Sequence, residues 1–354
     1  MTDYNSYFFQ EEVFEETTAG VRLGQFALAS RNADSAAPMD LTIPMYALAL
    51  VVAVVAGLLL MHGLCRKKGL KGTTALNFAL MALPLGLLGA RLFYVLNTFG
   101  VFQEIGFEHM ANLWFGGFAL WGAIGGGVLA ALLCAKLTKQ KFSRIMDAAA
   151  APTALVIGLA RLAEYFNGEG IGMMIENKSL QFFPFAVRTV CEMWDGVVEE
   201  EWRLAVFVLE ALAAFAIFLV LLFTREEDGR QAKVFFLLFC AASLVLESIR
   251  EDNYLRWQVV FIKVNQLTSA LVLTGIAVCC MIRRLRRTDD GLTKNKAIAC
   301  GVVYVLLAGV CIGMEFALQK LYWLPNWACY IITTLSAVGI GVCAWQLIFP
   351  RKKA

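Results

Sequence analysis

The stretch "GLARLAEYFNGEGIG" (158–172) sets an arginine and two glutamates at the end of an apolar run. Arg161 and Glu164 are three apart, so on a helix they share a face. Glu169 follows in the segment that leaves the run. Two other stretches match this one: Arg91 lies in "GLLGARLFYVLN", and Glu247, Arg250, Glu251 and Asp252 lie in "LVLESIREDN". An ionised side chain at the bilayer centre costs about 2.5–3.5 kcal/mol on insertion scales, and less near the interface. Such groups call for partners or a wet cavity. One reading makes them structural ion pairs and snorkelling anchors. The other makes them the lining of a polar cavity with arginines suited to a phosphate, because a guanidinium offers a planar fork of donors that matches phosphate oxygens. The anionic phosphate met at that depth is a phospholipid headgroup.

The elements that must position these groups are membrane spans. The chain has 354 residues, of which 59% are hydrophobic and 17% charged; soluble domains carry about 25% charged residues. "IPMYALALVVAVVAGLLLMHGL" (43–64) holds no Asp, Glu, Lys or Arg. A helix of about 20 apolar residues crosses a hydrocarbon core and satisfies its own backbone there. Nine spans are predicted, at 43–64, 74–99, 113–135, 146–166, 204–223, 232–250, 259–282, 297–318 and 327–349. The fold class is therefore an all-α polytopic membrane protein.

Charge in the connecting segments sets the orientation. "RKKGLK", "KLTKQKFSR", "TREEDGRQAK", "RRLRRTDDGLTKNK" and the tail "RKK" carry most of the 31 Lys and Arg. The positive-inside rule makes that side cytoplasmic. The N-terminus is then outside and the C-terminus inside, as an odd number of spans requires. Three parts are expected: an external segment at 1–42, a membrane core at 43–285 with a small external insert at 168–203, and a two-span appendage at 286–354. That appendage has one ionisable residue in its spans, Glu315.

Other chemistries are poorly served. The net charge is +3, with no basic stripe interleaved with aromatics, so nucleic acid is not expected as a partner. The ten cysteines fall mostly inside apolar blocks, without CxxC or Cys/His spacing, so neither a disulfide framework nor a metal site is expected, and no cofactor is implied. The first forty residues are polar and acidic, unlike a cleavable leader. No inverted repeat or matched pair of broken spans points to a transporter.

The segments around Arg161 resemble the prolipoprotein diacylglyceryl transferase family. Its signature reads roughly Arg-x-Gly-Asn-Phe-x-Asn-x-Glu-x-x-Gly. "RLAEYFNGEGIG" supplies Arg161, Asn167, Glu169 and Gly172 at matching positions, while Ala163, Glu164 and Tyr165 depart. "IPMYALAL" places Tyr46 at a family tyrosine. "GLLGARLFYVLN" matches at Arg91 and Tyr94, and "LVLESIREDN…KVNQLTS" at Glu247, Arg250 and Gln266. The likeness runs over 43–285 in unbroken order.

The resemblance implies an enzyme of the bacterial cytoplasmic (inner) membrane. It would move diacylglyceryl from phosphatidylglycerol to the lipobox cysteine thiol of a prolipoprotein. It implies Arg161, Glu169 and Glu247 as catalytic, and Arg161, Arg91, Tyr46, Asn167 and Arg250 as phosphatidylglycerol contacts; Glu164, which departs from the family pattern, joins the catalytic candidates as a carboxylate beside Arg161 that could accept a proton. In "FGGFALWGAIGGG" Trp121 stands at the family histidine, and Ser243 stands at a family arginine. The family's His-Pro-Ser-Gln-x-Tyr-Glu stretch is replaced by something like "EEWRLAV". Neither His62 nor His109 takes the histidine's place. A thiol must lose its proton to attack well, so two readings stay open. Glu164 has become the base or only balances Arg161, and the chain transfers diacylglyceryl or binds lipid without transferring it.

Overall fold

The structure is a computed structural model, and it describes residues 20–26, 39–111, 116–192, 198–225, 227–251, 256–257, 262–287, 291–320 and 325–349. Asp252 lies outside them. Among the described residues nine helices are long and apolar enough to cross a membrane. They are α1 (Met45–Lys67), α2 (Thr74–Asn97), α4 (Leu120–Thr138), α5 (Phe142–Ala163) and α6 (Val206–Phe223), followed by α7 (Arg230–Ile249), α8 (Val264–Arg287), α9 (Gly291–Lys320) and α10 (Asn326–Ile348). A short helix, α3 (Phe99–Ile105), follows α2. Consecutive spans alternate in direction. The basic segments gather at one end of the bundle, and the ends of α5 and α7 lie at the other, called here the site end.

α5 is the central element: its membrane window is 56% buried, against 11% for α9. It packs on α1, α4, α6 and α7. Its run "DAAAAPTALVIG" explains this, because alanines and Gly158 let neighbours approach closely. A methyl group at Gly158 would meet the Phe215 ring of α6 at 2.6 Å. The glycines of α4 do the same against α2, where a methyl group at Gly122 or Gly126 would strike the carbonyls of Gly89 or Leu85. α10 packs on α7 and α8, and α9 on α10, so the last two spans share the main apolar core, α9 through Ala297 and Tyr304 and α10 through Ala337, Ile340, Ala344 and Leu347.

Among the described residues three small antiparallel sheets accompany the helices. β1 (Gly20–Phe26) pairs with β2 (Met39–Pro44) ahead of α1. The predicted insert at 168–203 folds as β3 (Ile171–Met174), β4 (Ala186–Glu192) and β5 (Val198–Ala205), in the order β3-β5-β4. The third pair is β6 (Arg256–Trp257) with β7 (Ile262–Lys263).

Two expected boundaries need correction. The third span begins at Leu120 rather than 113, because Gly116 and Gly117 take φ of 66° and 74°, which a helix cannot use. The seventh begins at Val264 rather than 259, because part of its apolar approach forms the β6–β7 pair. Hydropathy alone does not separate an apolar strand from an apolar helix turn.

Candidate functional site

Arg161 sits in the last turn of α5, and the chain tightens there into a 3-10 turn, Glu164–Asn167. The three-residue spacing brings Glu164 Oε1 onto Arg161 Nη1 in a close ion pair. Glu210, one turn into α6, places Oε2 3.1 Å from Arg161 Nε. Arg250 follows the last residue of α7, with Nη1 3.4 Å from Glu210 Oε2 and 3.7 Å from Glu164 Oε2. All four side chains are at most 15% exposed. The result is a ring of alternating charge in which each carboxylate touches both arginines.

The backbone closes the ring. Gly170 takes φ 74°, and a Cβ there would meet Glu164 Oε2 and Phe207 Cβ, each at 2.6 Å. This position requires glycine both for its conformation and for its space. Gly170 O accepts from Phe207 N at 2.8 Å, and Ile171 O accepts from Glu251 N at 3.0 Å. Gly172 makes an antiparallel bridge to Arg250. β3 therefore stitches the start of α6 to the end of α7, and the chain after Arg161 is held against both.

Around the ring lies a polar shell. Glu247 is 2% exposed, and its Oε1 accepts from Asn265 Nδ2 at 3.0 Å. Lys263 Nζ donates to the carbonyls of Glu247 (2.6 Å), Arg250 (2.7 Å) and Ser248 (3.2 Å). It thus serves the last turn of α7, whose carbonyls have no helical partner. Gln266 Nε2 donates to Ser248 Oγ at 2.9 Å. Asn167 Nδ2 donates to Glu169 Oε1 at 2.8 Å. Tyr46, in the first turn of α1, lies within electrostatic reach of Glu169, Glu164, Arg161 and Arg250.

The structure thus brings together Arg161, Glu164, Glu169, Asn167, Arg250 and Tyr46, with Glu247 in electrostatic reach of Arg161. Arg91 is used differently. Its guanidinium donates to the carbonyls of His109 (2.8 Å), Met110 (3.0 Å), Gly117 (3.2 Å) and Gly116. It also lies over the Tyr94 and Phe102 rings at 5.7 and 5.5 Å. Arg91 fastens the loop between α3 and α4. The His109 imidazole lies 3.9 Å from Glu108 Oε1, and His62 is exposed on α1. Trp121, in the first turn of α4, is 6% exposed in the main core. Its ring meets Phe239 of α7 edge-on at 5.5 Å between centroids.

Three contributors escape the reading from residue types: Glu210, Lys263 and Asn265. Glu210 left a signal, as the one charged residue in "LAVFVLEALAAFAIFLVLLF" (204–223). No cluster of three or more potential metal ligands occurs among the described residues.

Comparison with known proteins points to one family. The family described as prolipoprotein diacylglyceryl transferase matches residues 36–283, leaving α9 and α10 outside the match. A phosphatidylglycerol–prolipoprotein diacylglyceryl transferase of Frankia alni is 29% identical over 73% of this chain and 67% of its own length. Those of Symbiobacterium thermophilum and Streptococcus pneumoniae strain JJA are 27% and 28% identical, over 71% and 70% of this chain and 92% of their own lengths. The chain belongs to the prolipoprotein diacylglyceryl transferase family and is a multi-pass membrane protein.

Proposed function

We propose that this protein transfers diacylglyceryl from phosphatidylglycerol to the cysteine thiol of a prolipoprotein lipobox, at the outer face of a bacterial cytoplasmic membrane. The observation that carries the reading is the buried ring of Arg161, Glu164, Glu210 and Arg250 at one end of the spans, in a chain of this family. The N-terminus is outside and the C-terminus cytoplasmic, because the basic loops lie at the opposite end. Residues 43–285 form the transferase core, and 286–354 an appendage.

In this reading Arg161 and Arg250 take the phosphate of the lipid. Their donors now meet carboxylates, so the phosphate displaces Glu164 from the fork by supplying equivalent oxygens. Glu164, released beside the reacting atoms, accepts the thiol proton. The thiolate sulfur then attacks the glycerol carbon next to the phosphate ester. An S–C bond forms, the C–O bond breaks, and glycerol phosphate leaves with the electron pair. Asn167 and Glu169, already paired, and Tyr46 meet the headgroup. Lys263 holds the backbone of Arg250 at the end of α7, Asn265 holds Glu247, and Arg91 shapes the neighbouring loop.

The packing of Trp121 against Phe239 favours a second reading, in which lipid is bound and not transferred, since an indole accepts no proton. Transfer of labelled diacylglyceryl to a lipobox peptide in membranes separates the two. Transfer by the wild type, lost in Glu164→Gln with phosphatidylglycerol binding retained, is the expected result. An active wild type indifferent to Glu164→Gln rules out the carboxylate base. An inactive wild type that still binds the lipid supports the second reading. Orientation is tested with a membrane-impermeant thiol reagent in intact cells, in a chain whose own cysteines, Cys191 included, are replaced by serine: Arg188→Cys is labelled and Asp228→Cys is not.

A further inference from the structure

The seam between α9 and α10 holds polar side chains that the transfer reaction does not use, in the part of the chain that the family match leaves out. α10 contributes Tyr330, Thr333 and Ser336, and α9 contributes Cys311 and Glu315. Thr333 is 3% exposed and Ser336 5%. Cys311 Sγ lies 3.9 Å from Thr333 O, and Cys311 also meets the Ser336 side chain. Glu315 is one turn further along α9, in electrostatic reach of Cys311 and Tyr330. Tyr330 also feels Glu251, the residue after Arg250, so this part of the seam lies at the site end.

Two oxygens here are buried and without a hydrogen-bond partner: Glu315 Oε2 and Thr333 Oγ1. Among the described residues Glu315 has no ion-pair partner. An ionisable group inside a span is expensive unless something meets it, and a buried acceptor left unpaired costs the full desolvation of that group. A helical threonine hydroxyl usually bonds the carbonyl one turn back, as Thr334 does to Tyr330 O at 2.7 Å. Thr333 does not. Two orphan acceptors bracketed by Tyr330 and Cys311 call for a group that brings N–H donors and positive charge.

We infer that the site end of the α9–α10 seam binds a primary ammonium group, of the kind carried by an aminophospholipid headgroup, with Glu315 Oε2 and Thr333 Oγ1 as its acceptors. Position selects that headgroup. Glu315 is five residues from the end of α9, within two turns of the level where headgroups lie. α9 is the least buried of the nine spans, so lipid reaches the seam from its flank. A quaternary ammonium has the charge but no N–H donor, and would not satisfy these oxygens. The site is independent of the transferase reading.

The test uses the purified full chain in detergent, with acyl-labelled phosphatidylethanolamine and acyl-labelled phosphatidylcholine as probes. Wild type should hold the ethanolamine lipid about tenfold more tightly than the choline lipid, as a charge-assisted hydrogen bond warrants. Glu315→Gln should lose that preference, Thr333→Val should lose part of it, and Glu315→Asp should keep some. Thermal unfolding and diacylglyceryl transfer should stay at wild-type levels in all three, which separates a lost site from a lost fold. Free ethanolamine distinguishes the sources of the amine: Glu315-dependent displacement of the label means that the amine alone is recognised, and resistance assigns recognition to a headgroup on its lipid. Either supports an ammonium site. Equal retention of the two lipids by wild type, or an unchanged preference in Glu315→Gln, overturns it.

Discussion

At the site end, Arg161, Glu164, Glu210 and Arg250 are buried against one another on three spans. At the basic end, Asp228 meets Lys141 and Arg144 at 3.1 Å each, with all three side chains at least 43% exposed. The same residue types are used to different ends. Exposed pairs are screened and contribute little. Buried charges must be matched, and removing one partner strands the other at about 3–5 kcal/mol. Among the described residues the basic end has one buried carboxylate of its own, Asp147. Its oxygens take the backbone N–H groups of Gly229 (2.6 Å) and Ala232 (2.9 Å) at the start of α7, with Lys68 in electrostatic reach. That is a cap supplied from another helix. Buried charge paired with buried charge marks the end where a charged ligand can exchange for a protein partner.

The sharpest break in this contrast is Arg161→Ala. Transfer and phosphatidylglycerol binding should both fall by at least about 100-fold, since charge-assisted bonds are worth about 1.5–3 kcal/mol each. Arg161→Lys should recover only part, because an ammonium lacks the fork. Lipid binding at the wild-type level by folded Arg161→Ala would remove the ring from the reaction.

Glu210→Gln should act next. It leaves two arginines facing one carboxylate, and transfer should drop about 10- to 100-fold. Thermal unfolding should come earlier as well. A loss of stability with turnover per folded molecule unchanged would make Glu210 purely structural.

Asp147→Ala reverses the pattern. Losing two bonds to backbone donors should cost about 1–3 kcal/mol of stability, read by denaturation, while turnover per folded molecule holds. A large fall in turnover there would end the contrast between the two ends.

Asp228→Asn is the smallest change. Bonds from Arg144 and Lys141 hold the Asp228 carboxyl below the usual carboxylate range. Its contribution is therefore present above that range and disappears as pH falls through the lowered value. The unfolding temperatures of Asp228→Asn and wild type should differ slightly at neutral pH in low salt. They should converge in acid and at high salt.

Much of the bundle was legible because nine apolar blocks alternate with basic and base-poor segments, and lipid leaves the backbone little choice but helix. The site was legible only in part. Arg161 with Glu164 announces itself by spacing, and Arg250 by its place at a span end. Arg91 has the same residue type at the same depth, yet it serves carbonyls of a loop. Residue type and depth do not give direction. Lys263 and Asn265 were hidden because their targets, the last turn of α7 and Glu247, adjoin them only after α7 and α8 pack. Trp121 stands at the family histidine in the sequence, and only the packing shows its ring in the core against Phe239.

The three-residue spacing of Arg161 and Glu164 also bears on how the protein is made. The chain emerges N-terminal end first, and α5 enters the membrane before α6 and α7. Glu210 and Arg250 lie 49 and 89 residues further along the chain, so they reach the membrane later. An arginine travelling alone would meet the translocation machinery and the lipid with its full charge. Arg161 instead arrives with Glu164 on its own helical face, a self-neutralised pair that tolerates the wait. When α6 and α7 follow, β3 is stitched between them, and the local pair opens into a ring. The short-range pair thus needs only one span, whereas the ring needs three.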